Sequence, residues 1–171
     1  MGMTIVEALK EVKLVEKRIA KNCESISQYA SVLSNEKPAF DSEEEQRAMV
    51  KQLIQANMDL TTQYLRLKKN IEFTNLSTIV ELAGKKYSIF ELIHLRRKAG
   101  EFILRTFSCL TETASEQKRA RFFAAAGQDV KVNRMFNESD KMKSLNEWQE
   151  FIEKIDGKLE VVNATTEILE A

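Results

Sequence analysis

Apolar residues recur at helical spacing through most of this chain, and one short stretch near its middle changes period. From Thr4 onward, Ile5, Val12, Ile19, Ile26 and Leu33 fall on every seventh residue. Leu9, Cys23 and Ala30 form a second row whose one charged member is Glu16. Two such rows make the face of a helix packed in coiled-coil fashion. Thr4 and Glu7 stand three apart at its start, the spacing of a capping box, in which hydroxyl and carboxylate satisfy each other's backbone N–H groups. Residues 34 to 40 contain Asn35 and Pro38 and keep no period, which predicts a turn between antiparallel helices. Ser42 and Glu45 then open a second helix with the seam Val50, Leu53, Asn57, Leu60, Tyr64, Leu67 and Ile71, ending near Asn75. At a rise of about 1.5 Å per residue it would be roughly 45 Å long. A helix of that length needs more cover than a small monomer supplies, so part of it is expected to face a second subunit. Asn57 in the seam fits a register device.

From Thr78 to Ser88 the period shortens towards two. β-Branched Thr78, Ile79 and Val80, the pair Ala83-Gly84 and the return through Lys85, Lys86 and Tyr87 predict a β-hairpin near 78–88, with Gly84 supplying a positive φ. Ser88 and Glu91 launch a third helix whose seam is Ile89, Ile93, Arg96, Gly100, Ile103, Phe107 and Leu110. A guanidinium in a seam needs a carboxylate or an anionic ligand, so Arg96 is expected either to pair with a seam acid such as Glu16 or to point into a polar cavity. Residues 115 to 137 lose the heptad; the alternation from Asp129 to Phe136 suggests a third strand near 129–136. A fourth helix begins near Ser139 with the seam Leu145, Trp148, Ile152, Ile155, Leu159 and Val162. The expected fold is therefore mainly α: antiparallel long helices in a four-helix, coiled-coil-like arrangement with a small inserted hairpin, forming one domain over residues 1–171.

Composition agrees with this picture. Of 171 residues, 43% are apolar and 30% charged, enough to bury a core, and five Gly with one Pro suit short connections between helices. Cys23 and Cys109 are too few and too distant for a disulfide framework or a metal knuckle, and both are expected as buried thiols. The absence of a signal-peptide pattern and of any apolar run near the ~20 residues of a membrane helix predicts a cytoplasmic protein with no membrane partner. The 26 basic and 26 acidic side chains cancel, which disfavours nucleic acid. They are not spread evenly: residues 84 to 143 carry 13 Lys and Arg against 7 Asp and Glu.

Around the hairpin the sequence resembles a known family, the septicolysin-like small helical proteins of bacteria and phages. The family pattern Thr-Asn-x-x-Thr-x-Val-Glu-x-x-Gly-Lys-x-Tyr-(Ser or Thr)-x-x-Glu-Leu is matched by Thr74, Asn75, Thr78, Val80, Glu81, Gly84, Lys85, Tyr87, Ser88, Glu91 and Leu92. A second block, Asn163 to Ile168, is similar to the family's Asn-Trp-Thr-Thr-Glu-Leu, with Ala164 in place of Trp. Helical order agrees over nearly the whole chain, and residues 115 to 139 depart most. The resemblance implies the fold. The cytolytic activity its name suggests finds no secretion or membrane-inserting pattern here.

Chemistry is thinly represented. His94 is the only histidine, no Ser or Cys nucleophile is placed beside it, and phosphate-binding, dinucleotide and zinc motifs are absent, so neither a catalytic set nor a cofactor or metal is expected. The basic middle remains. Lys85, Arg96, Arg97, Arg119, Arg121, Lys131 and Arg134, with Tyr87 as a stacking ring, are the candidate ligand-binding residues; Lys86, Lys118, Phe122 and Phe123 lie among them. The expectation is a non-enzymatic homo-oligomer that binds, and in a phage could sequester, a small anionic nucleotide-like ligand. The alternative is a scaffold or virion protein acting through its helices.

Overall fold

A computed structural model of the chain describes residues 2–111, 116–124 and 133–171. It is mainly helical with one small antiparallel hairpin, as the periodicity predicts. The chain divides into two compact units, residues 1–78 with 161–171 and residues 79–160.

In the first unit α1 (Ile5–Tyr29) and α2 (Glu43–Ser77) run antiparallel, shown by pairs whose numbers rise in one helix as they fall in the other: Gln63 to Glu11 at 3.2 Å and Asn22 to Asn57 at 2.9 Å. Thr4 and Glu7 form the capping box at the head of α1, and Ser42 caps α2 by accepting from the Glu45 N–H. The core is Ala8, Val12, Val15, Leu67 and Ile71, with Ile19, Leu60, Tyr64 and Ile168 packed against it. The second row of α1 is thus Ala8, Val15 and Asn22, one residue ahead of the expected Leu9, Glu16 and Cys23, which are exposed. Spacings of three and of four both continue a helical stripe, and the smaller Ala8 and Val15 are the ones that meet α2. α1 also stops at Tyr29, leaving Leu33 outside it and 62% exposed.

Its end is tied down by Gln46, which is buried, donates to the otherwise orphaned Tyr29 carbonyl at 2.8 Å and accepts from the Ala39 N–H at 3.0 Å. Residues 166–171 return along the foot of the pair. The Ile5 N–H donates to the Thr166 carbonyl, Ile168 to Met3, and Leu169 to the hydroxyl of the fully buried Thr74.

The second unit opens with β1 (Ile79–Leu82) and β2 (Lys85–Ser88), paired antiparallel from Ile79 opposite Ser88 to Leu82 opposite Lys85. Both turn residues take positive φ, Ala83 at 51° and Gly84 at 75°, the primed turn whose twist matches the strands. A complete Ser88–Glu91 capping box starts α3 (Ile89–His94), which continues through a wider π-helical turn, Leu95–Ala99, into α4 (Gly100–Ser108). α5 (Glu116–Ala124) and α6 (Glu138–Thr165) follow, the last turn of α6 belonging to the first unit. Among the described residues of the second unit, Ile89, Leu92, Ile155 and Leu159 are fully buried aliphatics. Lys141 fastens the head of α6 by donating to the Leu110 carbonyl and to Glu138.

The wide turn corrects the expectation for Arg96. An extra residue in the turn rotates Arg96 off the seam that an unbroken period of 3.6 assigns it. Its side chain is 40% exposed and meets Asp156 of α6 at 3.2 Å, while Glu16 is an exposed residue of the other unit. Both cysteines are likewise exposed rather than buried; Cys23 follows the true seam residue Asn22 and accepts from Asn57. Of the expected third strand, residues 129–132 lie outside the described residues and 133–136 carry no strand, bending at Met135 and Phe136. No helix among the described residues is long and apolar enough to cross a membrane.

Candidate ligand-binding groove

Two periodicities build a groove in the second unit. Lys85 and Tyr87 alternate along β2 and share one face, because strand side chains repeat every two residues, and Ala83 of the turn joins them. Ser144, Glu147, Trp148 and Phe151 stand at helical spacings of three and four on one face of α6, and Phe107 of α4 joins them. Together these residues line a cavity of about 360 Å³, within the size range of small-ligand sites.

Its walls are aromatic. Trp148 and Phe151 meet edge to face at 5.5 Å and 85°, and Phe151 lies 6.3 Å from Tyr87 at a tilt of 53°. These are the offset geometries that ring quadrupoles favour, so each ring holds its neighbour in place. Among the described residues the charged lining residues are Lys85 and Glu147, both exposed. Lys143 approaches Glu147 no closer than 4.0 Å, and both side chains are open to solvent, so the contact barely restrains the carboxylate.

Of the residues singled out by sequence, Lys85 and Tyr87 come together here. Arg96 is engaged with Asp156, and Arg97 is exposed on the same wide turn. Arg121 is exposed on α5 beside Phe122 and Phe123, whose rings are 6.0 Å apart. Arg119 belongs to the backbone of α5, its side chain outside the description. Lys131 lies outside the described residues; Arg134 is exposed and already engaged with another group. Sequence reasoning missed Ser144, Glu147 and Phe151 and placed Phe107 and Trp148 in helix seams. The available signal was the break in aliphatic character at Trp148 and Phe151, three apart with a small polar residue one turn before.

A second hollow, about 460 Å³, lies in the first unit beside Tyr29, Val32 and Val50. Its one cation, Arg47, is paired with Glu43 at 3.0 Å, and its rim offers one aromatic ring, so it lacks the stacking walls of the groove. His94 packs its ring on Phe90 at 4.2 Å. Among the described residues no three of His, Cys, Asp and Glu gather as a metal ion would require. No family model, no curated protein sequence and no solved structure matches this chain.

Proposed function

We propose that the protein is a non-enzymatic binding protein that holds a small anionic, nucleotide-like ligand in the groove between the hairpin and α6. The observation that carries this is the set of rings Tyr87, Trp148 and Phe151 with the Lys85 ammonium on the same strand face as Tyr87. Stacking on an aromatic ring is worth about 1–3 kcal/mol per base, and a lysine at the mouth adds a point charge for phosphate. A ligand held without conversion is withdrawn from solution, the use that the resemblance to phage proteins suggests.

Trp148 is the only tryptophan, so its fluorescence reports directly on the groove. Titration with nucleotides and cyclic nucleotides, paired with thermal melting, should show saturable quenching and stabilisation that Lys85→Ala and Tyr87→Ala weaken. If no member of the set alters either signal, the ligand reading is wrong.

The same proposal includes self-association. Ile54, Met58 and Leu65 of α2 are 45%, 61% and 61% exposed, and Ile54 and Met58 border an apolar hollow with Ile26 of α1. A second copy would cover this face. The scaffold reading draws on the same residues: an oligomer that binds no nucleotide would favour it.

A further inference from the structure

We infer that the groove selects a guanine-type base, with Glu147 as the residue that determines specificity; this rests on the nucleotide reading above. A ring stacked against Trp148 or Phe151 must present its edge to polar side chains of the lining, which among the described residues include Lys85, Tyr87, Ser144, Glu147 and the indole N–H of Trp148. Glu147 immediately precedes Trp148 and lies one helical turn before Phe151 on the same face, so its carboxylate stands beside the stacking surface.

An ionised carboxylate only accepts hydrogen bonds, and it offers two parallel oxygens. Guanine presents two adjacent donors, N1–H and the exocyclic N2 amine, which match those oxygens one to one. Adenine and cytosine each place one amine beside a ring nitrogen whose lone pair would face an anionic oxygen. Uracil places its single N–H between two carbonyls. A carboxylate in this position therefore favours guanine and penalises the other three. Lys85, reaching from the hairpin, is left for the phosphate, so the two opposite charges of the lining take the two ends of one ligand.

The test is calorimetry on the full chain with GMP, AMP, CMP and UMP, repeated on Glu147→Gln and on Lys143→Ala, whose lysine does not line the groove. GMP should bind at least about fivefold more tightly than AMP, the lower end of what a bidentate base contact discriminates. Glu147→Gln, which keeps the size but replaces one acceptor with a donor, should bring AMP and GMP to parity while still binding both. Lys143→Ala should leave the preference intact. Equal binding of all four bases by the wild-type chain, or a GMP preference that survives in Glu147→Gln with an unchanged melting temperature, would overturn the guanine assignment and leave the nucleotide reading standing. Failure of every nucleotide to bind would overturn both.

Discussion

Ala83 is the residue whose chemistry most clearly disagrees with its backbone. At φ 51° it occupies the left-handed region, which costs an L residue with a Cβ roughly 1–2 kcal/mol, whereas Asn tolerates it and is favoured before Gly in primed turns. Ala83→Asn should raise stability by about 0.5–1 kcal/mol in urea denaturation. Gly84→Ala should lower it by about 1 kcal/mol even though a methyl there would meet nothing within 4 Å, because the penalty lies in φ and not in space. Thr74 carries a different kind of constraint. Its buried hydroxyl donates to the Asn70 carbonyl at 2.7 Å and accepts from the Leu169 N–H at 2.8 Å. Thr74→Val keeps the shape and leaves the Leu169 N–H without its acceptor, while the Asn70 carbonyl keeps its helical backbone bond; the expected loss is about 1–3 kcal/mol, which Thr74→Ser should largely avoid. At this scale the hairpin side of the groove was legible, since alternation alone puts Lys85 and Tyr87 on one face. Phe107 and Trp148 were not, because an apolar residue at seam spacing looks the same whether it fills a core or lines a cavity, and Phe151 stands outside the expected seam.

The elements were legible where local chemistry sets them. All three predicted N-terminal caps accept the expected backbone N–H, and the hairpin turns at Ala83 and Gly84. What a repeat read at 3.6 residues per turn did not anticipate was the change of helical pitch over Leu95–Ala99, the turn that contains Arg96. Gly100 closes that turn: its N–H donates to the Leu95 carbonyl, and a Cβ would lie 2.8 Å from that oxygen and 3.0 Å from Cδ1 of Ile152. Ile152 belongs to α6, so one missing methyl permits both the wide turn and the close approach of two helices. Gly100→Ala should therefore destabilise by about 1–3 kcal/mol, against the gain expected of Ala over Gly in an unconstrained helix, and urea denaturation will show which sign holds. In the α1–α2 pair, Asn22 donates to Asn57 in the seam. Asn57→Ala should cost about 1 kcal/mol by leaving Asn22 unpaired, whereas leucine at both positions should recover or exceed wild-type stability and loosen the register.

On the scale of the whole molecule, each compact unit contains a helix that begins with a Thr- or Ser-based capping box, and this sets how the protein meets acid. Hydrogen bonds from the Thr4 backbone and hydroxyl hold the Glu7 carboxyl below its ordinary value of 4.5, and those from Ser88 do the same for Glu91. A carboxyl whose folded pKa is depressed binds fewer protons in the native state than in the unfolded one. Its contribution is therefore fully present above the ordinary carboxylate value and is lost as the pH falls through the depressed one. Stability should be flat near neutrality and decline from about pH 5 downward. Both carboxylates are solvent-exposed, so high salt should shrink the electrostatic share of the effect, while the hydrogen-bonded share persists. Glutamine preserves the capping geometry without a titrating proton. The double variant Glu7→Gln, Glu91→Gln should accordingly start less stable at neutral pH and lose less on acidification. Urea denaturation at about pH 7 and about pH 3.5 measures both slopes. Parallel slopes for variant and wild type would mean that these two caps do not set the acid response, and that carboxylates elsewhere among the 26 acidic residues do.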